Sequence, residues 1–206
     1  MTLTRVSAAL FLVAGLGGCG GLFGGGPALD AFELRAPATA PVASRTLARD
    51  VVVEVPEAGP ALDIDRIMIR PNPLQTQYLP GARWTGNAPV MVQGLMVRTL
   101  QDANAFRYVG RRPLGPGADF ALVSELTDFQ AETTADGARV RLRMVARLVR
   151  ESDASVVASR TFQTTAPVDP GMGTLTVVEG FDTAAGALLA ELSSWVLAQL
   201  GAPPSG

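Results

Sequence analysis

Two runs of alternation, residues 119–133 and 137–150, most constrain what this chain can become, because a period of two belongs to strands and not to helices. In the first run Phe120, Leu122 and Leu126 share a face. In the second, Val140, Leu142, Met144, Ala146 and Leu148 share one face, and Arg139, Arg141, Arg143 and Arg147 share the other. Ala135-Asp136-Gly137 lies between them. This predicts a hairpin with a three-residue loop and Gly137 in left-handed backbone. That register opposes Thr134 to Ala138 and Glu125 to Arg147, with both apolar faces on one side. A two-residue Asp136-Gly137 loop would set Arg against Leu across the ladder and is rejected for that reason.

Shorter signals extend a sheet around the hairpin. Phe32-Glu33-Leu34-Arg35 alternates and starts a strand. Residues 47–55 are Val-rich and stop at Pro56, and 57–60 form a turn. Arg66-Ile67-Met68-Ile69-Arg70 is a strand ended by Pro71 and Pro73, with 74–79 pairing back on it. Residues 106–109 and 155–164 are further strands, the latter after a turn at Ser152-Asp153. Residues 36–43, 111–117 and 168–173 read as loops.

Two segments have helical spacing. Asn87 is placed as an N-cap with Pro89 in the first turn. Val92, Leu95, Met96, Thr99, Leu100 and Ala103 then recur on one face, despite Gly94, which costs about 1 kcal/mol relative to Ala. Residues 174–200 form a longer helix whose face runs through Phe181, Ala185, Leu188, Leu192, Trp195 and Gln199. Gly201 ends it and Pro203 forbids continuation. The expected fold class is α+β: a single, mostly antiparallel sheet with both helices packed on one face.

The N-terminus carries a different kind of information. Arg5 precedes a short apolar run, residues 6–16, too short for the roughly 20 residues of a membrane span. Leu16-Gly17-Gly18-Cys19 closes it and holds the one cysteine of the chain. A signal peptide cleaved between Gly18 and Cys19, with the thiol carrying acyl chains, fits this layout. Gly-rich residues 20–26 then act as a flexible tether. They lack the strand before and the helix after that a phosphate-binding loop requires. The plan is residues 1–18 as signal peptide, 19–30 as acylated Cys and tether, 31–201 as one folded domain and 202–206 as a disordered tail. In enteric bacteria Asp after the acylated Cys retains a lipoprotein in the inner membrane. Gly20 stands there, which points to the outer membrane, facing the periplasm.

Composition removes whole classes of chemistry. All seventeen basic residues are Arg, there is no Lys or His, and the formal net charge is −2. That excludes imidazole bases and triads, Schiff-base lysines, a thiol nucleophile once Cys19 is acylated, and zinc sites built on His or Cys. The balance is also wrong for a nucleic-acid binder. No enzyme activity, metal or cofactor is expected. Asp63 and Asp65 sit two apart; on a strand they share a face and in a turn they cap, and nothing beside them indicates the cleft an acid/base pair needs.

Several of these elements together resemble the ABC-type transport auxiliary lipoproteins. They are the lipobox at Cys19, the Phe32-Glu33-Leu34 start, the Val51–Val55 strand, Arg66 to Arg70, and Tyr78. Ala82-Arg83-Trp84 before an Asn87- and Pro89-opened helix, and a final helix with Phe181 and Trp195, complete the set. The chain departs at Thr85-Gly86, where the family more often has Ala-Glu-Pro. The resemblance implies a periplasm-facing, non-catalytic lipoprotein that accompanies an ABC transporter and an MCE-type subunit. Such systems move lipid or other hydrophobic molecules across the envelope, and the lipoprotein docks the conduit against a membrane, as a ring of copies. The rival is a tethered regulator of a cell-wall synthase, for which the loose segment before the first strand is short. Within the body, Arg83 and Trp84 form either a partner anchor or a packing plug. Arg139, Arg141, Arg143 and Arg147 form either a solvated strand face or a surface for anionic headgroups or an acidic partner.

Overall fold

The computed structural model describes residues 28–202 apart from Asp136, Pro170 and Met172. The signal segment, Gly18, Cys19, the Gly-rich tether and the tail with Pro203 lie outside the described residues. The elements are β1 (Asp30–Phe32), β2 (Leu47–Val53), β3 (Glu57–Ala58), β4 (Arg66–Asn72), β5 (Gln75–Trp84), α1 (Ala88–Asp102), β6 (Phe106–Gly110), β7 (Phe120–Thr134), β8 (Gly137–Arg150), β9 (Ser155–Val168) and α2 (Thr174–Leu200).

The alternating hairpin is the centre of the sheet. β7 and β8 pair antiparallel along their whole length, and β9 continues the ladder on β8. The other edge of β7 is shared by three shorter strands, all parallel to it: β2 at its start, β3 near its middle and β4 toward its end. Each then recruits what it can at its own end. β2 pairs with β6, and β4 pairs with β5, which pairs with β1. The sheet is therefore mixed. Its long ladders are antiparallel, and its parallel pairings line one side of β7. Residues 57 and 58, expected in a turn, form β3 against Glu125 and Leu126. β1 forms two residues earlier than the alternation of residues 32–35 suggests, in parallel with Ala82, Arg83 and Trp84.

The hairpin register differs from the expected one. Thr134 pairs with Gly137 and Thr133 with Ala138, so two residues and not three separate the paired strands. Gly137 does adopt positive φ, at 124°. The ladder shifts between Leu126 and Asp128, leaving Thr127 as an extra residue. This is a β-bulge, and one extra residue exchanges the faces of a strand. Leu122 and Leu126 point to the helices before it; Phe129 and Ala131 do so after it. Both sets then meet the single apolar face of β8: Leu126 faces Met144, and Phe129 faces Leu142. Glu125 consequently lies opposite Val145, and Arg147 opposite Val123.

Both helices cover this apolar face. Val92 and Leu95 of α1, Ala185, Leu188 and Leu189 of α2, and Leu126, Phe129, Leu142 and Met144 of the sheet line one seam. Trp84 is fully buried and stands edge-on to Phe129 at 5.8 Å and to Phe181 at 5.2 Å. These three rings join β5, β7 and α2. Phe162 and Trp195 make a second such contact between β9 and α2. α2 is long and apolar enough to cross a membrane, yet it is a core helix here, with half of its most apolar stretch buried. Asp182 and Glu191 on its outer side pair with Arg35 and Arg160. Gly201 closes it in left-handed conformation, at φ 83°. Gln199, expected on the buried face, is exposed. The buried stripe ends through Val196 and Leu197 instead, leaving the amide hydrated. Asn87 occupies the N-cap position of α1 but makes no side-chain cap bond. Its Nδ2 donates to the carbonyl and the Oδ1 of Asp63, tying the helix start to the preceding turn.

Two measurements test this packing. A methyl added at Gly180 would lie 2.5 Å from Val168 Cγ2 and 3.1 Å from Val140 Cγ2, so Gly180→Ala is expected to destabilise by about 1–3 kcal/mol. Trp84→Ala should cost about 3–5 kcal/mol. Both are read from denaturant midpoints, and a neutral Gly180→Ala would show that α2 sits farther from β8 and β9 than described.

Acid provides the other test. The hydrogen bond from Arg107 holds the Asp50 carboxyl below the usual range, with the guanidinium charge adding to it. A lowered carboxyl favours the folded state only while ionised, so its contribution is complete above the unfolded carboxylate range and fades as pH falls below it. Asp50→Asn should therefore narrow the difference in denaturant midpoint between neutral and acid solution. An unchanged difference would show that this pair does not form.

Candidate interaction surface

The helices cover one face of the sheet and leave its other face, where Met68 and Gln130 are nonetheless buried, without a covering layer. Cross-strand partners share a face, and the register identifies the residues. Beyond the bulge β7 presents Asp128, Gln130 and Glu132 away from the helices. Met68 and Arg70 of β4 stand beside Gln130 and Glu132 on one side. Arg143, Arg141 and Arg139 of β8 stand opposite the three on the other. Before the bulge the same face carries Val123 and Glu125 with Arg147 and Val145. Arg66, two residues before Met68, joins them, with its guanidinium 5.8 Å from the centre of the Tyr78 ring. Arg83 is the partner of Arg66 on β5.

Seven arginines thus occupy one face, accompanied by Asp65, Glu125, Asp128 and Glu132, in a chain whose formal net charge is −2. Positive charge has been segregated here. Part of it is neutralised locally. Arg139 Nε donates to Glu132 Oε1 at 2.8 Å. Arg141 Nε lies 3.5 Å from Asp128 Oδ2, and Arg83 Nη1 lies 3.4 Å from Asp65 Oδ2. Gln130 is buried among these side chains; its Nε2 donates to Asp128 Oδ1, and its Oε1 accepts from the Phe129 amide. The remaining arginines are less well served. The Nε atoms of Arg66 and Arg70 are buried without an acceptor. Among the described residues, Arg143 and Arg147 meet no carboxylate.

Crowding like charges on one face costs free energy that the neighbouring carboxylates only partly offset. What the arrangement offers is a set of guanidinium forks matched to carboxylate or phosphate oxygens. The hairpin arginines and Arg83, far apart in sequence, fall on this one face. Arg66 and Arg70 belong to it as well, and sequence reasoning missed them. Their strand was visible, but its parallel pairing with β7, some sixty residues away, left no local trace.

The other singled-out residues have different places. Trp84 points into the core between Phe129 and Phe181, which leaves it no surface for a partner. Its backbone N–H donates to Asp65, and the Thr85 N–H donates to Phe32, so the Thr85-Gly86 departure is absorbed by a turn tied to β1. Asp63 and Asp65 bind Asn87 and Arg83 and form no carboxylate pair. Gly18 and Cys19 lie outside the described residues.

If Arg143 and Arg147 serve a partner and not the fold, removing them should be harmless to stability. Arg143→Gln and Arg147→Gln are each expected to change unfolding free energy by less than about 0.5 kcal/mol. Arg139→Gln, which loses the Glu132 bond, should cost up to about 1 kcal/mol. Parallel urea titrations of the three variants would show this order, and an Arg143 or Arg147 loss larger than that of Arg139 would contradict it.

Comparison with known proteins agrees with this architecture. A Bradyrhizobium diazoefficiens protein is 28% identical over 179 residues, covering 84% of this chain and 47% of that relative. The chain thus spans about half the length of the curated relative it matches. The crystal structure of a Xanthomonas campestris protein superposes with a TM-score of 0.73 at 26% identity, over 84% of this chain and 96% of that one. A second crystal structure, of an uncharacterized protein, shares the fold with a TM-score of 0.65 at 15% identity, over 82% and 99% of the two chains. The family model for the ABC-type transport auxiliary lipoprotein component matches residues 32–193, from the end of β1 to within α2. Since that span takes in nearly all of the described body, the chain belongs to the family of ABC-type transport auxiliary lipoproteins.

Proposed function

We propose that this chain is a non-catalytic adaptor, held by an acylated Cys19 on the periplasmic side of the outer membrane. In this reading it serves an ABC-type system that passes lipids or other hydrophobic molecules across the envelope through an MCE-type subunit. The observation that carries the reading is the family match along the body. The Leu16-Gly17-Gly18-Cys19 sequence supports the anchor, and the absence of His, Lys and a second Cys from the sequence supports a role without covalent chemistry. The arginine face supplies the docking surface. Guanidinium-rich patches steer acidic partners and fix their register. Copies arranged as a ring would present this face repeatedly to the conduit.

Two experiments separate the parts of the proposal. Mass spectrometry of protein recovered from envelopes should show a mature chain starting at Cys19 with acyl chains on it, and Cys19→Ala should leave the protein unprocessed and unacylated. Recovery of an unmodified thiol in a freely soluble protein would remove the anchor. Arg143→Glu with Arg147→Glu should lower co-purification of the ATPase, permease and MCE-type subunits about tenfold, with unfolding midpoints unchanged. Undiminished capture would remove the arginine face from the interface.

A further inference from the structure

α1 carries a glycine that its packing does not use. Val90, Gly94 and Arg98 recur every four residues on the side of α1 opposite Val92 and Leu95. Val90 and Arg98 are exposed, whereas Gly94 between them is buried. A glycine inside a helix costs stability relative to alanine, so its place here needs a cause. Outside the helix's own backbone and the adjacent residues, a methyl on Gly94 would come within 4 Å of one atom, Nη2 of Arg111, at 2.9 Å. The gap in the helix surface is filled by a guanidinium group and by nothing from the sheet or α2.

Arg111 reaches Gly94 from a distant part of the sheet. The strand path runs β1-β5-β4-β7-β2-β6. Glu33 follows β1 at one end of it, and Arg111 follows β6 at the other. Both meet α1 at one cavity of about 160 Å³, whose lining they share with Gly86, Val90, Met91 and Arg98. The Thr85 amide donates to the Phe32 carbonyl, which holds the Gly86 wall beside Glu33.

The charges in this cavity do not balance. Arg98 Nη2 lies 3.6 Å from Glu33 Oε1, with both side chains more than half exposed, so the pair is weak. Among the described residues Arg111 meets no carboxylate. Two guanidinium groups against one carboxylate leave one positive charge beside the apolar side chains of Val90 and Met91. That surplus matches a single negative charge, and Glu33 repels a second. The planar forks match a carboxylate in shape. The cavity is smaller than the roughly 300 Å³ at which small-molecule sites begin, so it admits the end of one residue. Val90, 44% exposed, offers contact to an apolar group next to that carboxylate. A lipid headgroup, polar on both sides of its phosphate, does not supply such a group.

We propose that this cavity binds one carboxylate of a protein partner, borne next to an apolar side chain as at a chain end. Arg98 and Arg111 hold the carboxylate oxygens, and Val90 and Met91 take the apolar group. Gly94 lets the Arg111 fork lie across the helix. The site is on the helix side of the sheet, apart from the arginine face. The proposal does not depend on the membrane or transport reading.

The test follows the arginine Nε–H signals by NMR in the full chain held in detergent micelles. Arg98→Gln and Arg111→Gln assign two of those signals by their loss. N-acetyl-leucine, a carboxylate beside an apolar side chain, should move both signals together and saturably. N-acetyl-leucinamide, its neutral counterpart, should move neither, and glycerophosphoglycerol should bind several-fold more weakly. Arg111→Gln should abolish the response of Arg98, whereas Arg112→Gln, beside the cavity but outside its lining, should preserve it. Gly94→Ala gives the sharpest reading. It should raise the unfolding midpoint, because alanine is the better helix former and the end of Arg111 can move aside, while weakening N-acetyl-leucine several-fold. No response, or an equal response to acid and amide, overturns the site. Equal or tighter binding of glycerophosphoglycerol overturns the carboxylate assignment. A Gly94→Ala midpoint below that of the unaltered chain, or undiminished binding, overturns the role given to the glycine.

Discussion

The single extra residue at Thr127 governs this architecture. β7 is the one strand that touches β2, β3, β4 and β8, so whatever sets its faces sets the faces of the sheet. Without the bulge, Leu122 and Leu126 could point to the helices only if Phe129 and Ala131 pointed to water. With it, both halves bury their apolar residues against α1 and α2. The polar residues past the bulge, Asp128, Gln130 and Glu132, are turned together to the opposite face. The core and the arginine surface are two consequences of one backbone irregularity.

That surface carries both paired and less well paired arginines. The paired members, Arg139 with Glu132 and Arg83 with Asp65, hold side chains in place. The unpaired members keep charge available. The pairs lose little in water, since exposed ion pairs are worth at most about 1 kcal/mol. Against an acidic partner the same guanidinium groups would gain more, because charge-assisted hydrogen bonds strengthen when desolvated. Trp84, Phe129 and Phe181 lock the helical layer to the sheet that carries this face.

Much of the fold was legible in the sequence. The span of α2 was readable residue by residue, since Gly201 and the 3.6-residue stripe are local signals. The hairpin strands were readable from alternation. The switch of apolar residues from even positions, Leu122 and Leu126, to odd ones, Phe129 and Ala131, was present too, but a three-residue loop explained the first half and hid the second. Asn87 was placed correctly as the start of α1, although its side chain serves Asp63 instead of the helix. For the candidate surface, Arg139 to Arg147 were visible as a row because one strand carries them all. Arg66 and Arg70 were not, because membership of a face depends on which strands are neighbours.

The sequence by itself determined the elements, the apolar stripes, the catalytic chemistry excluded by its lack of Lys and His, and the resemblance to a lipoprotein family. These follow from properties a residue keeps in any fold: period, charge, nucleophilicity and the absence of a backbone N–H. Tertiary structure decided that three strands lie parallel along one side of β7. It also decided that Trp84 is a core residue, and that arginines from β4, β5 and β8 share a surface. Those outcomes turn on which strands become neighbours, above all the parallel pairings with β7 across sixty or more residues, whose free energy exists only once the helices have closed over the opposite face.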